Sequence, residues 1–148
     1  MNKSEFDERQ LIERGRAFRN AFFGIFGALL VGRMVDSVLE TPVLDYFAMM
    51  LIPIWVSVSV FLTTVIMRDA IDKINQTSGW ALLSVIWGAV GLFVTAASII
   101  KLTLEPAIVD GALNEHIVQA FYGICMIEVC AVYWMKRSKD AKKAKADE

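Results

Sequence analysis

The chain has 148 residues and is poor in the residue types that carry most enzymatic and metal chemistry: one histidine and two cysteines. His116, beside Glu115, supplies neither a zinc-ligand set nor a Ser/His/Asp or Cys/His arrangement for nucleophilic catalysis. Cys125 and Cys130 stand five positions apart, which on a helix turns them about 140° from each other. They form no CxxC pair and read as small apolar packing residues. No P-loop or dinucleotide glycine fingerprint is present, because the glycines gather inside apolar runs. A net charge of −1 and the lack of arginine-rich or aromatic-interleaved patches argue against nucleic acid as a partner. No catalytic residue, metal or cofactor is expected, and the reading leans away from an enzyme.

What the chain does have is long hydrophobic runs. It is 56% hydrophobic, above the ~45–50% of soluble domains, and its mean hydropathy is +0.51. The apolar residues fall into four runs, about 18–39, 46–67, 80–104 and 116–135. About 20 helical residues cross a hydrocarbon core of ~30 Å. Lipid leaves no partner for unpaired backbone, so each run is expected to be a helix. The expected fold is an all-α integral membrane bundle of four antiparallel helices, preceded by a helical segment at 1–17 and followed by a basic tail at 136–148.

Lys and Arg set the orientation. Thirteen of the 15 fall before the first run or at its edge (Arg19), between the second and third, or after the fourth; only Arg33 and Lys101 fall on the other side. Both termini are therefore expected in the cytoplasm of a multi-pass protein of the cell membrane. The first run is too long, and its flank too acidic, for a cleaved signal peptide.

Shorter features refine the outline. Ser4, with Glu5, Asp7 and Glu8 behind it, suits the start of a helix, read as an extension of the first span rather than a surface anchor. Ser78 and Asn114 are expected to cap the third and fourth helices, and Pro53 to kink the second. Tyr46, Trp80, Tyr133 and Trp134 fit interfacial belts, while Trp55 and Trp87 read as core. The tail is expected to be disordered or a frayed helix. Ile25–Leu29 and Ile86–Val90 form a faint internal echo.

In lipid, helices associate through close packing and polar contacts. Gly24, Ala28 and Gly32 line one stripe of the first span; Ser84, Gly88 and Gly91, with Thr95 and Ser98, line a seam of the third. The spacing predicts close approach of helices one and three, or a homodimer.

The candidate functional residue is Glu128, well inside the fourth span, where an ionised carboxylate is costly. Arg19 is one expected partner; Ser57, Thr63 or Ser84 at similar depth is the other. A second candidate cluster gathers at the outer end: Arg33, Asp36, Glu40 and Lys101, among further acids at Asp45, Glu105, Asp110 and Glu115. Arg33 and Asp36 are expected to form a local ion pair.

The segment Asp7-Glu8-Arg9-Gln10, followed by Arg14 and a run of spans, resembles uncharacterised small bacterial four-span membrane proteins that begin with Asp-Glu-Arg-Gln. The resemblance is confined to the start of the chain and implies a bacterial inner-membrane protein with no established activity. Arg16-Ala17-Phe18-Arg19-Asn20 is similar to the Arg-Ala-x-x-Asn segment of the membrane-associated glutathione and eicosanoid enzymes, but theirs follows a first span and leads to a glutamate where Phe23 stands here. The small multidrug-resistance transporters also have four spans and a membrane glutamate, but theirs lies in the first span and Glu128 in the fourth.

The function read from all this is a non-enzymatic accessory, regulatory or immunity-type protein, acting in the bilayer through a protein partner or a homo-oligomer. The alternative is a small proton- or cation-coupled transporter or channel using Glu128.

Overall fold

The four apolar runs become four helices in the computed structural model, each long and apolar enough to cross a membrane. They are α1 (Glu8–Leu39), α2 (Tyr46–Met67), α3 (Ser78–Leu104) and α4 (Glu115–Ala146). The structure describes residues 8–39, 44, 46–70, 78–109 and 111–146, without the side chains of Leu39, Tyr46, Phe47 and Ser78. The expectations for Ser4, Glu5, Asp7, Glu40, Asp45, Asp110 and the side chains of Tyr46 and Ser78 lie outside the described residues.

Both terminal helices run past their apolar cores. α1 begins at Glu8, so the segment before the first span is a direct extension of it. α4 continues to Ala146, so of the two forms expected for the tail, disordered or a frayed helix, the structure has a helix. Ala and Lys are good helix formers, Lys136 and Asp140 pair across one turn, and Lys143 and Lys145 sit where the helix dipole favours cations. Pro53 is buried inside α2 without ending it.

α2 stops in a Schellman-type turn. Asp69 takes the left-handed conformation (φ 50°) and the Ala70 N–H donates to the Val65 carbonyl at 3.1 Å. The all-α expectation needs one amendment: between α3 and α4 lies a small hairpin, β1 (Ile108–Val109) with β2 (Ala112–Leu113), pairing Ile108 with Leu113 and Val109 with Ala112. Gly111 at φ +85° supplies the backbone that an L side chain resists. Asn114 then caps α4, its Oδ1 accepting the His116 N–H at 3.0 Å.

The helices pack in the order α1, α2, α4, α3. α1 lies on α2, with Gly24 against Val60 and Gly32 against Leu44 and Met49. α2 lies on α4, with Trp55 stacked on Tyr122 at 4.1 Å between ring centroids. α4 lies on α3, with Gly91 against Gly123 and Gly88 against Cys130. This corrects the expectation that helices one and three approach closely: each small-residue face meets its own hairpin neighbour. α2 and α3 flank α4, with only slight contact between them.

Candidate functional site

Glu128 is placed by two helices. It lies on an exposed side of α4, and Ser59 of α2, itself buried, donates its Oγ hydrogen to Glu128 Oε2 at 2.8 Å. Neither expected partner is used. Arg19 is exposed on α1 and makes no ion pair or hydrogen bond with Glu128. The reason is the helix order: α1 packs on α2, not on α4. The other proposed donors are spent on backbone. Ser57 donates to the Ala21 carbonyl, Thr63 to Ser59 and Val60, and Ser84 to Ala81. Choosing Ser59 from sequence would have required knowing which face of α2 meets α4.

At the end of the bundle carrying the chain termini, the polar groups form a continuous latch. Glu13, only 8% exposed, accepts from Arg16 one turn on and from Arg68 at the end of α2 at 2.9 Å. Arg14 Nε donates to the Ala70 carbonyl at 2.8 Å, and Ala17 packs with Val65 and Ala70 beneath. Burial alone would raise the Glu13 carboxyl; the Arg68 hydrogen bond and the Arg16 and Arg68 charges outweigh it and hold it below the usual carboxylate range. On α4, Lys136 donates to Asp69 at 2.8 Å and lies 3.6 Å from Asp140. The Asp69 hydrogen bond, working against burial, raises the Lys136 ammonium above its ordinary value. The i, i+3 spacing of Glu13 and Arg16 was the sequence signal for this latch, but nothing in it pointed to Arg68.

The opposite end is divided rather than clustered. Asp36 does not pair with Arg33; its Oδ1 accepts the Leu44 backbone N–H at 3.2 Å, tying down the α1–α2 connection. A backbone donor with no other use competes well against an exposed arginine on the same helix. Arg33 and Lys101 are exposed, on helices that do not pack as a pair, so they are not brought together. A separate knot forms around Asn114, which donates to Glu105 at 3.2 Å and to the Pro106 carbonyl at 3.1 Å. His116 Nε2 lies 3.5 Å from the same Glu105 carboxylate.

The packing residues separate clearly. Gly24 and Gly32 face α2, with half-buried Ala28 on the turn between them; Gly88 and Gly91 face α4. Gly123, the counterpart on α4, was missed, although it is the single glycine of the fourth apolar run. Tyr133 is a further correction: it is 2% exposed, packs on Ile66, and its hydroxyl has no hydrogen-bond partner among the described residues. It belongs to the interior and not to an interfacial belt. Its neighbour Trp134 is exposed, beneath the Arg137 guanidinium.

Compared with protein-family models, with curated proteins and with solved structures, the chain matches none.

Proposed function

We propose that this chain is an integral membrane protein of four antiparallel spans, with both termini in the cytoplasm, that acts as a non-enzymatic accessory or regulatory subunit by binding a membrane partner. An immunity-type protein is one form of that role, and the resemblance of the first residues makes a bacterial inner membrane its setting. The 13-to-2 division of Lys and Arg supports the orientation. The antiparallel run of α1 and α2 is supported by their packing, in which Gly24 meets Val60 while Gly32 meets Met49 further back along α2.

The observation that carries the partner reading is Glu128. A carboxylate within a membrane-spanning helix normally faces the bundle interior or water, yet this one lies on an exposed side of α4 with one serine as its donor among the described residues. A second donor, from another chain or another copy, completes its hydrogen bonding in lipid. The outward apolar faces, such as Phe22, Phe23 and Phe26 of α1 and Leu92 and Phe93 of α3, suit contact with lipid or with partner helices. The rival use of Glu128, coupling proton or cation movement in a small transporter or channel, calls for a polar path to it; the cavity and the cleft between α2, α3 and α4 are not lined by Glu128.

The test is gentle extraction of the tagged protein from its native membrane, with mass spectrometry of what accompanies it. The expected result is a stoichiometric protein partner, or a second copy, that is lost in Glu128→Gln. Purified protein that by itself moves a solute across vesicles, and stops doing so in Glu128→Gln, overturns the reading in favour of transport.

A further inference from the structure

Between α2, α3 and α4 lies a cavity of about 210 Å³. Leu62 and Ile66 of α2, Leu83 and Trp87 of α3, and Val129 and Tyr133 of α4 are among its walls. It exceeds the ~150 Å³ apolar cavities that stay dry and take up benzene. A void of this kind forfeits dispersion contacts on every wall, so filling it with hydrocarbon is favourable. Contact between α2 and α3 is slight, so no close-packed helix seam between them closes the cavity off from the bilayer.

A cation follows the cavity along α4, one turn beyond its last lining residue. Cys130 and Tyr133 line the cavity from α4, and Arg137 follows on the same face at i, i+4 from Tyr133. The Arg137 guanidinium sits 5.2 Å from the Trp134 ring centroid and has no acidic partner among the described residues. Lys136 beside it is engaged by Asp69 and Asp140. At 1.5 Å per residue, Tyr133 and Val129 lie about 6 and 12 Å from Arg137 along the helix. Those distances match the reach from a phospholipid's phosphate to the upper methylenes of its acyl chain.

We propose that this cavity binds one acyl chain of a phospholipid from the cytoplasmic leaflet, with the lipid phosphate held at Arg137. The lipid then fills the gap between α2 and α3 and joins the α1–α2 hairpin to the α3–α4 hairpin. The proposal rests on the membrane reading and orientation given above. It is separate from Glu128, which does not line this cavity.

The test uses the full chain in vesicles of phosphatidylglycerol carrying bromine on the upper part of the acyl chain, a quencher of indole fluorescence. One variant keeps Trp80 and Trp87, which line the cavity (Trp55→Phe with Trp134→Phe); another keeps Trp134 alone. Expected is quenching of Trp80 and Trp87 that outlasts dilution into unbrominated vesicles, while quenching of Trp134 is lost at once. Native mass spectrometry of the solubilised protein should show one retained phospholipid. Arg137→Gln, far from any packed core, should weaken its retention roughly tenfold, the size of one lost charge-assisted hydrogen bond. Val129→Phe, checked for unchanged helix content, should exclude the chain and remove the lasting quench. Retention unaffected by either substitution overturns the proposal. So does quenching of Trp80 and Trp87 no more lasting than that of Trp134. If no tryptophan is quenched and the protein does not float with vesicles, the membrane reading itself has failed.

Discussion

The two helix hairpins are held together in different ways. At the α3–α4 contact, backbone approaches backbone: a Cβ on Gly91 would come within 2.8 Å of the Gly123 carbonyl, and one on Gly88 within 2.7 Å of Cys130 Sγ. At the α1–α2 contact, a Cβ on Gly24 would meet Val60 at an ordinary 3.7 Å. What that looser pair has instead is the ionic latch of Glu13, Arg16 and Arg68 at one end and the Asp36 bond to the Leu44 backbone at the other. Similar small-residue stripes thus serve unlike interfaces. One depends on the absence of a methyl group; the other depends on polar groups beyond the apolar core.

The largest expected effect follows from this difference. Gly91→Ala or Gly123→Ala forces α3 and α4 apart and should cost about 1–3 kcal/mol, as overpacking generally does. Gly24→Ala should lie within about 1 kcal/mol of neutral and can stabilise, since alanine favours the helix and the space exists. Unfolding titrations in mixed micelles measure both; equal losses at Gly24 and Gly123 would erase the distinction.

The latch comes next. Glu13→Gln should loosen the first turns of α1, read as faster amide exchange over residues 8–17 with residues 24–32 unchanged. Acid should do the same to the native chain. The Glu13 carboxyl is held low, so its contribution is present above the ordinary carboxylate value and is lost as pH falls through its lowered one. The Lys136 contact to Asp69 has the opposite sign. Its ammonium is raised, so the contact is intact at neutral pH and is lost only as pH rises through that raised value, above the ordinary lysine range. A latch that opens at mildly alkaline pH contradicts this assignment.

Two smaller effects probe single backbone and side-chain sites. Gly111→Ala places a Cβ at φ +85° in the hairpin and should cost about 1–2 kcal/mol locally, seen as lost protection of the β1–β2 amides. Tyr133→Phe removes a buried hydroxyl that has no partner among the described residues, so it should be neutral or stabilising by up to about 1 kcal/mol. A clear loss of stability there would mean that the hydroxyl is bonded to a ligand or water in the membrane.

Much of the architecture was legible in the residues. Run length and apolarity marked α2 and α3 to within two positions but only the apolar parts of α1 and α4, which run about ten residues further; Asn114 marked the start of α4 because capping is a local bond. The hairpin was legible but overlooked: Asp110-Gly111 between Ile-Val and Ala-Leu is a two-residue turn signal. The tail left two forms open in the sequence, because it lacks an apolar face while Ala and Lys favour a helix. The candidate site was legible only by half. Glu128 stood out through the cost of a carboxylate in lipid, but its donor could not be chosen, because four hydroxyls at similar depth on two helices have the same chemistry.

The sequence alone determined the properties that depend on composition and local order: four helices long and apolar enough to cross a membrane, the uneven division of cations between the segments that flank them, a helix cap and the one carboxylate within the fourth apolar run. These follow from transfer free energies and from bonds between near neighbours in the chain. Tertiary structure alone decided the order α1, α2, α4, α3, the use of each glycine stripe, the choice of Ser59 for Glu128 and the joining of Glu13 to Arg68. Helix pairing in an apolar medium turns on shape and a few polar contacts between segments distant in the chain, and a single sequence does not record which segments meet.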